Sequence, residues 1–178
     1  MEKSIVDTSQ VVLVDLNDRP TGYMEKQEAH RQGLLHRAIS VFLFNTEGQW
    51  LLQRRSFTKY HSAGLWSNAC CTHPYPGESP ERAAQRRIKE ELGLSCPLEK
   101  QFCFLYKTAL DHGLTEYEYD HIFTGYATDL PEINLTEVQE WGYFSPALLI
   151  QDVKAHPEYY TVWFRKIFPE ILKRQYFS

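Results

Sequence analysis

The sequence predicts a mixed α+β fold, a β-sheet core of mainly hairpin-connected strands flanked by helices. Three observations point to it. Apolar, β-branched and aromatic runs alternate with turn clusters, one long segment carries helix punctuation at both ends, and the carboxyl end repeats its apolar residues with helical period. QVVLVD, from Gln10 to Asp15, reads as a buried strand, and NDRPTG after it as a turn in which Pro20 restricts the backbone and Gly22 frees it. AISVFLFN, from Ala38 to Asn45, is a second strand, and Glu47-Gly48 turns the chain into QWLLQRR to close a hairpin. In SPERAAQRRIKEELGL, Ser79 stands at the N-cap, Pro80 at the first helical position, Glu81 in the first turn and Gly93 at the stop. Ala84, Ile88 and Leu92 give that helix a buried stripe. QFCFLYKTA, EYEYDHIFTGYAT and VQEWGYFS fit further strands. From about Tyr159 to Arg174 the period is helical again, and Pro169 is expected to kink or divide that helix.

Composition narrows the function. With 178 residues, 43% of them hydrophobic, and no repeat or linker, residues 1–178 are expected to form one domain with a substantial core. A formal charge of −4 argues against a general nucleic-acid binder, so an anionic ligand would need a local basic cluster. The four cysteines follow no zinc-ribbon spacing, MEKSIVDTSQ lacks the apolar run of a secretory signal, and no segment approaches the roughly 20 apolar residues of a membrane span. A cytoplasmic protein with free thiols and no membrane partner is expected.

The chemistry concentrates in two short stretches. GLWSNACCTHP places Cys71 two residues before His73, and TEYEYD places Glu116 two before Glu118. Residues two apart on an extended backbone share a face, so each pair can present its groups together. With His30 and His36 upstream, these residues make a mixed nitrogen and oxygen set suited to Mn²⁺, Zn²⁺ or Fe²⁺ rather than an all-thiolate zinc site. The same histidines equally fit surface positions near a turn, and the two glutamates a solvated strand. Carboxylates crowded on one face repel, however, and a cation would relieve that repulsion. Cys70 should face away into the core and leave Cys71 beside His73, where a cation or basic groups would lower its pKa; a small buried apolar role is the alternative for Cys71.

A basic group, Arg54, Arg55 and Lys59, follows the hairpin and could join Lys26 and Arg87 around a diphosphate, with Glu91 helping to hold a magnesium; plain solubility explains the same charges. Arg86 to Glu90 and Arg87 to Glu91 are i,i+4 pairs. Trp163, with Tyr159, Tyr160 and Phe164, fits a core stripe, or else an aromatic wall facing a cationic centre; Tyr106 carries the same ambiguity.

Taken together, EKQEAH, LLH, LFNTEGQWLLQRR, GLWSNACCTHP, AAQRRIKEELGL and TEYEYDHIF resemble the type I isopentenyl-diphosphate isomerases, a family on the Nudix fold. Against the Nudix box G-x5-E-x7-R-E-U-x-E-E-x-G-U, the chain keeps Glu78, Arg86, Glu90, Glu91 and Gly93 but has Thr72 for the opening glycine and Arg87 for a glutamate. Those departures weaken the Mg²⁺ cluster of a hydrolase, and Arg87 adds a cation for holding diphosphate intact. The resemblance implies a Nudix-like mixed sheet and a 1,3-allylic proton shift between isopentenyl and dimethylallyl diphosphate. It implies His30, His36, His73, Glu116 and Glu118 as ligands of Mn²⁺ or Zn²⁺, Cys71 and Glu118 as the acid/base pair, Tyr106 assisting, and Trp163 facing the carbocation. Lys26, Arg55, Lys59 and Arg87 would grip the diphosphate, with Glu91 on a substrate-linked Mg²⁺. A monomer or weak homodimer is expected. The alternatives are a nucleoside-diphosphate hydrolase and a metal-stabilised interaction domain in which the cluster only holds the fold.

Overall fold

A computed structural model describes residues 7–176 of the chain. Strands β1 (Gln10–Val14) and β2 (Pro20–Glu25) pair antiparallel. Their turn is earlier than the sequence suggests. Asp15 Oδ1 accepts from the amides of Asn17 and Arg19 at 2.8 and 3.0 Å, and Asp18 takes the left-handed conformation, φ 61°. Pro20 and Gly22 therefore belong to a strand rather than to the turn, which a proline tolerates because β2 is an edge strand.

Helix α1 (Lys26–Gln32) follows where the sequence reading had none. Its signals are short: the Glu25 carboxylate accepts from the Gln27 and Glu28 amides, and Gly33 ends it at φ 60°. Strands β3 (His36–Phe44) and β4 (Trp50–Arg55) form the expected hairpin, closed at Leu43↔Leu51 and Phe44↔Trp50. Short strands β5 (Trp66–Ser67) and β6 (Cys70–Thr72) lead to α2 (Pro80–Leu92), which has the expected Ser79 cap and Gly93 stop. Next come the long hairpin of β7 (Leu98–Ala109) and β8 (Thr115–Tyr126), strand β9 (Val138–Phe144), and helix α3 (Pro146–Ala155), another element not expected. Helix α4 (Val162–Tyr176) continues through Pro169 as one element and is not divided there.

The nine strands of the described residues form one mixed sheet. Its centre is β3, which pairs in parallel with β8 along its whole length and, on its other edge, with β1, β6 and β4 in succession. Alternate residues of β3 separate two cores. Ile39, Val41 and Leu43 pack with Ile88 and Leu92 of α2, whereas Phe42 and Phe44 pack with Trp163, Phe164 and Phe168 of α4. No helix of the described residues is long and apolar enough to cross a membrane.

Ile88 is fully buried where α2 meets β3. Ile88→Ala should lower unfolding free energy by about 2–5 kcal/mol, because the cavity it leaves cannot collapse fully. Urea denaturation followed by circular dichroism measures this.

Candidate functional site

On the α4 side of the sheet, the apolar face gives way to polar residues. Along β8, Glu116, Glu118 and Asp120 take alternate positions ahead of Ile122, so all four share one face, and the three acids are buried. Tyr106 of β7 is the register partner of Glu118, and its hydroxyl lies 3.0 Å from Glu116 Oε2 and 2.7 Å from Glu118 Oε2. A phenol has one hydrogen, so both contacts are hydrogen bonds only if one carboxyl carries a proton of its own.

The surroundings decide which one does. Burial, and then the charge of Glu118, push the Glu116 carboxyl well above the usual carboxylate range. Burial also opposes the charge of Glu118, but His36 and His73 outweigh it and hold this carboxyl well below that range. Glu116 is thus the protonated member and Glu118 the ionised one. Tyr106, raised by burial and by both glutamates, stays a neutral phenol between them.

Three histidines face the ionised carboxylate. His30 projects from α1, His36 opens β3 directly opposite Glu118, and His73 follows β6 with Nε2 2.9 Å from Glu118 Oε1. One ligand atom from each of His30, His36, His73 and Glu118 lies within 4.8 Å of the others. Backbone carbonyls orient two rings: Lys26 O is 2.6 Å from His30 Nδ1, and Leu34 O is 2.8 Å from His36 Nδ1. Their Nε2 atoms are buried with no hydrogen-bond partner among the described residues. Burial lowers the pKa of His30, and that of His73 to about 3, so these imidazoles are neutral, the form that binds metals. Orphaned imidazole nitrogens around a carboxylate fit a divalent cation. Glu116 lies outside this four-residue group and is engaged by Tyr106.

Cys71 opens onto the same cavity from β6, while Cys70 turns into the α2-side core as its alternation requires. Burial, followed by the nearby Asp120, pushes the Cys71 thiol up, and its sulfur contacts Ser40 and Asn68.

Of the basic residues, Lys26, Arg55, Lys59 and Arg87 line the cavity with Glu91, but Arg54 does not. Arg54 takes the other face of β4, where it pairs with Glu140 at 2.8 Å. Burial, then the charges of Arg55, Lys59 and Arg87, push Lys26 down to about 8, as expected where cations crowd together without an anion. Arg87 lies 2.6 Å from Glu91, and both Lys59 and Arg87 reach Glu137, a residue in the loop before β9 that no sequence motif marks. Trp163 lines the cavity beneath the Arg55 guanidinium, 5.2 Å from its ring centre, while Tyr160 and Phe164 are core and Tyr159 is exposed. Tyr60 and His61 also line the cavity; their place beside the Arg54-Arg55-Lys59 group was the available signal.

The NUDIX domain family model matches residues 34–165. The isopentenyl-diphosphate Delta-isomerase of Pectobacterium atrosepticum is 51% identical over 163 residues, covering 92% of this chain and 91% of the relative. Isopentenyl-diphosphate Delta-isomerase 2 of Photorhabdus laumondii is 49% identical, covering 88% and 89%. The crystal structure of a MutT protein from Methanosarcina mazei superposes with a TM-score of 0.65 at 20% identity over 80% of this chain and 96% of its own, a likeness of fold alone.

His61 gives this cavity wall a measurable acid response. Burial, then Arg55 and Lys26, push its imidazole down to about 2, so the unfolded chain takes up its proton first, near pH 6.5. A depressed folded pKa means stability present above that pH and lost as the pH falls. Measured against His61→Gln by urea unfolding, the wild-type chain should lose about 1 kcal/mol per pH unit between about pH 6 and 4.

Proposed function

The chain belongs to the NUDIX domain family and, with its curated relatives, to the isopentenyl-diphosphate Delta-isomerases, and on that premise we propose that this cavity interconverts isopentenyl and dimethylallyl diphosphate by a 1,3-allylic proton shift. One observation carries the reading. The Cys71 thiol, the Glu116 and Glu118 carboxyl groups, bridged by Tyr106, and the basic side chains of Lys26, Arg55, Lys59 and Arg87 share one cavity walled by Trp163.

The reaction explains why such different groups belong together. Protonating an unactivated alkene creates a tertiary carbocation that water would capture, so the cavity needs an acid, a base and dry aromatic walls. Protons enter at one carbon and leave from another, which requires two groups, Cys71 and Glu118. Tyr106, bridging Glu116 and Glu118, passes protons within the carboxyl pair. The π face of Trp163 stabilises the cation, as it already does the Arg55 guanidinium. His30, His36, His73 and Glu118, with Glu116 beside them, would hold Mn²⁺ or Zn²⁺, and Glu91 a Mg²⁺ arriving with the diphosphate. A bound divalent ion supplies positive charge that sets the acidity of the carboxyl groups around it. Lys26, Arg55, Lys59 and Arg87 grip the diphosphate, the last two exchanging Glu137 for phosphate oxygens. All four cysteines are unpaired, which suits the reducing cytoplasm we assign to it.

The hydrolase reading has less behind it. Arg87 occupies the position of a box glutamate and is itself paired with Glu91, so this part of α2 presents a cation where a hydrolase needs metal-binding carboxylates.

Incubation with isopentenyl diphosphate and Mg²⁺ in deuterated water should yield the deuterated dimethylallyl isomer with no phosphate release. Cys71→Ala and Glu118→Gln should each lower kcat by about 10²–10⁴-fold or more while melting cooperatively. Phosphate or nucleoside monophosphate release without isomerisation would favour the hydrolase instead. Separately, kcat/KM should fall as the pH rises above about 8, where Lys26 loses its proton, and Lys26→Arg should move that limb to higher pH.

A further inference from the structure

The four cations of the cavity are not equivalent. Lys26 faces the Tyr60 ring at 5.4 Å, and Arg55 donates to the His61 carbonyl at 3.2 Å while its Nε is buried with no hydrogen-bond partner among the described residues. Neither forms an ion pair with a carboxylate of those residues. Lys59 and Arg87 do, and both reach the same oxygen, Glu137 Oε2. The cavity thus has one uncompensated half and one half already paired with an anion, although Glu137 is not among the residues that line it.

Backbone pairing decides where that anion sits. Strand β9 carries one extra residue against β4, since Arg54 pairs with Glu140 but Arg55 with Val138, and the pairing runs on to Ser56, whose amide donates to the Glu137 carbonyl at 3.0 Å. The turn that follows, closed by the Lys59 amide on Ser56 O at 3.2 Å, brings Lys59 alongside Glu137. The Glu137 amide itself donates to Asn134 O at 2.9 Å. With the backbone tied at both ends, only side-chain torsions can move the half-buried carboxylate. Burial opposes its charge, but Lys59 and Arg87 outweigh burial and hold this carboxyl below the usual range. A tethered anion of this kind competes at high effective concentration and returns when a ligand leaves.

We propose that Glu137 is a specificity-determining residue, a resident counter-anion that closes the Lys59–Arg87 half of the cavity to any anion not already anchored at Lys26 and Arg55. A single phosphate settles on the uncompensated pair and leaves Glu137 in place. A diphosphate anchored there presents its second phosphate intramolecularly, and with several oxygens in reach of two cations it displaces the one carboxylate. The cost of displacement therefore falls on diphosphate alone. This role rests on the reading of the four cations as the diphosphate grip, and on that reading substrate and product carry the same anion, so the returning carboxylate speeds the release of either.

Calorimetric titration of the full chain with inorganic diphosphate and, separately, with inorganic phosphate at fixed ionic strength reads this without any turnover. Glu137→Gln should bind diphosphate about 3–30-fold more tightly, because two competing ion pairs are gone, while the Kd for phosphate changes by less than about 2-fold. Glu137→Asp, one methylene shorter, should tighten diphosphate by a smaller factor and carries the test if the glutamine variant does not fold. In turnover, KM should fall by a similar factor without a rise in kcat. Diphosphate bound no more tightly by either variant overturns the proposal and makes Glu137 a support for the two cations. Phosphate tightened as much as diphosphate overturns the division into halves. Tightened diphosphate binding in a chain that does not isomerise would sink the function proposed above and leave the role of Glu137 standing.

Discussion

The parallel pairing of β3 with β8 is the constraint on which the cavity depends. It runs from His36↔Glu118 to Phe44↔Tyr126, and on the opposite edge of β3 the short strand β6 sets Cys71 across from Ser40. One strand therefore registers the imidazole, the carboxyl pair and the thiol at once. Because side chains alternate with period two, a slip of one residue would move all of β8's acids to the α2 side of the sheet. The register is held by burial on both faces: Ile39, Val41 and Leu43 on one side, and Phe42 and Phe44 on the other, are at most 4% exposed.

That placement carries an electrostatic cost which the structure meets by dividing protons. Three carboxyl groups stand on consecutive inward positions of β8, and three ionised acids could not share such a buried strip. Glu118 keeps its charge because two imidazoles face it. Glu116 and Asp120 are pushed up, first by burial and then by Glu118 itself, and Asp120 is held by Ser40. The unequal environments separate acid from base along a single strand.

Much of the fold was legible because it is local. The β3–β4 hairpin, the strand runs of β7 and β8 and the Ser79-Pro80 to Gly93 helix each declare themselves within a few residues. Helix α3 was missed although Ser145-Pro146 carries the same punctuation as Ser79-Pro80. Helix α1 was missed because it spans two turns and is capped by glutamate, a residue outside the usual capping set. Pro169 does not divide α4, since Phe164, Ile167 and Phe168 before the proline and Ile171 after it belong to one buried cluster with Phe42 and Trp50. Within the site, the i,i+2 spacings paired Cys71 with His73 and Glu116 with Glu118, and the fold brings all four to one cavity. What spacing cannot carry is long-range register: nothing near Glu118 announces His36 across about 80 residues, and nothing near Arg87 announces Glu137. The direction of the Cys71 shift was also illegible, because it depends on how deeply the sulfur is buried and on Asp120, a residue no motif singled out.

On the function proposed above, the basic end of the cavity would hold a diphosphate without cutting it. A hydrolase of this family needs several carboxylates on α2 to gather metal ions and activate water. Here Glu78 and Glu90 are turned to Arg86, with Arg86 Nε 2.8 Å from Glu78 Oε1, and Glu91 is occupied by Arg87 and by Gln53 Nε2 at 2.5 Å. The helix therefore offers its acids to its own arginines rather than to several metals. Arg87 and Lys59 are held in turn by Glu137, a single carboxylate where two phosphate groups would offer several oxygens in bidentate reach. Exchanging that one carboxylate for a diphosphate would keep both cations paired. On that reading the cavity would grip its anion at this end and leave the proton chemistry to the strand on the other side.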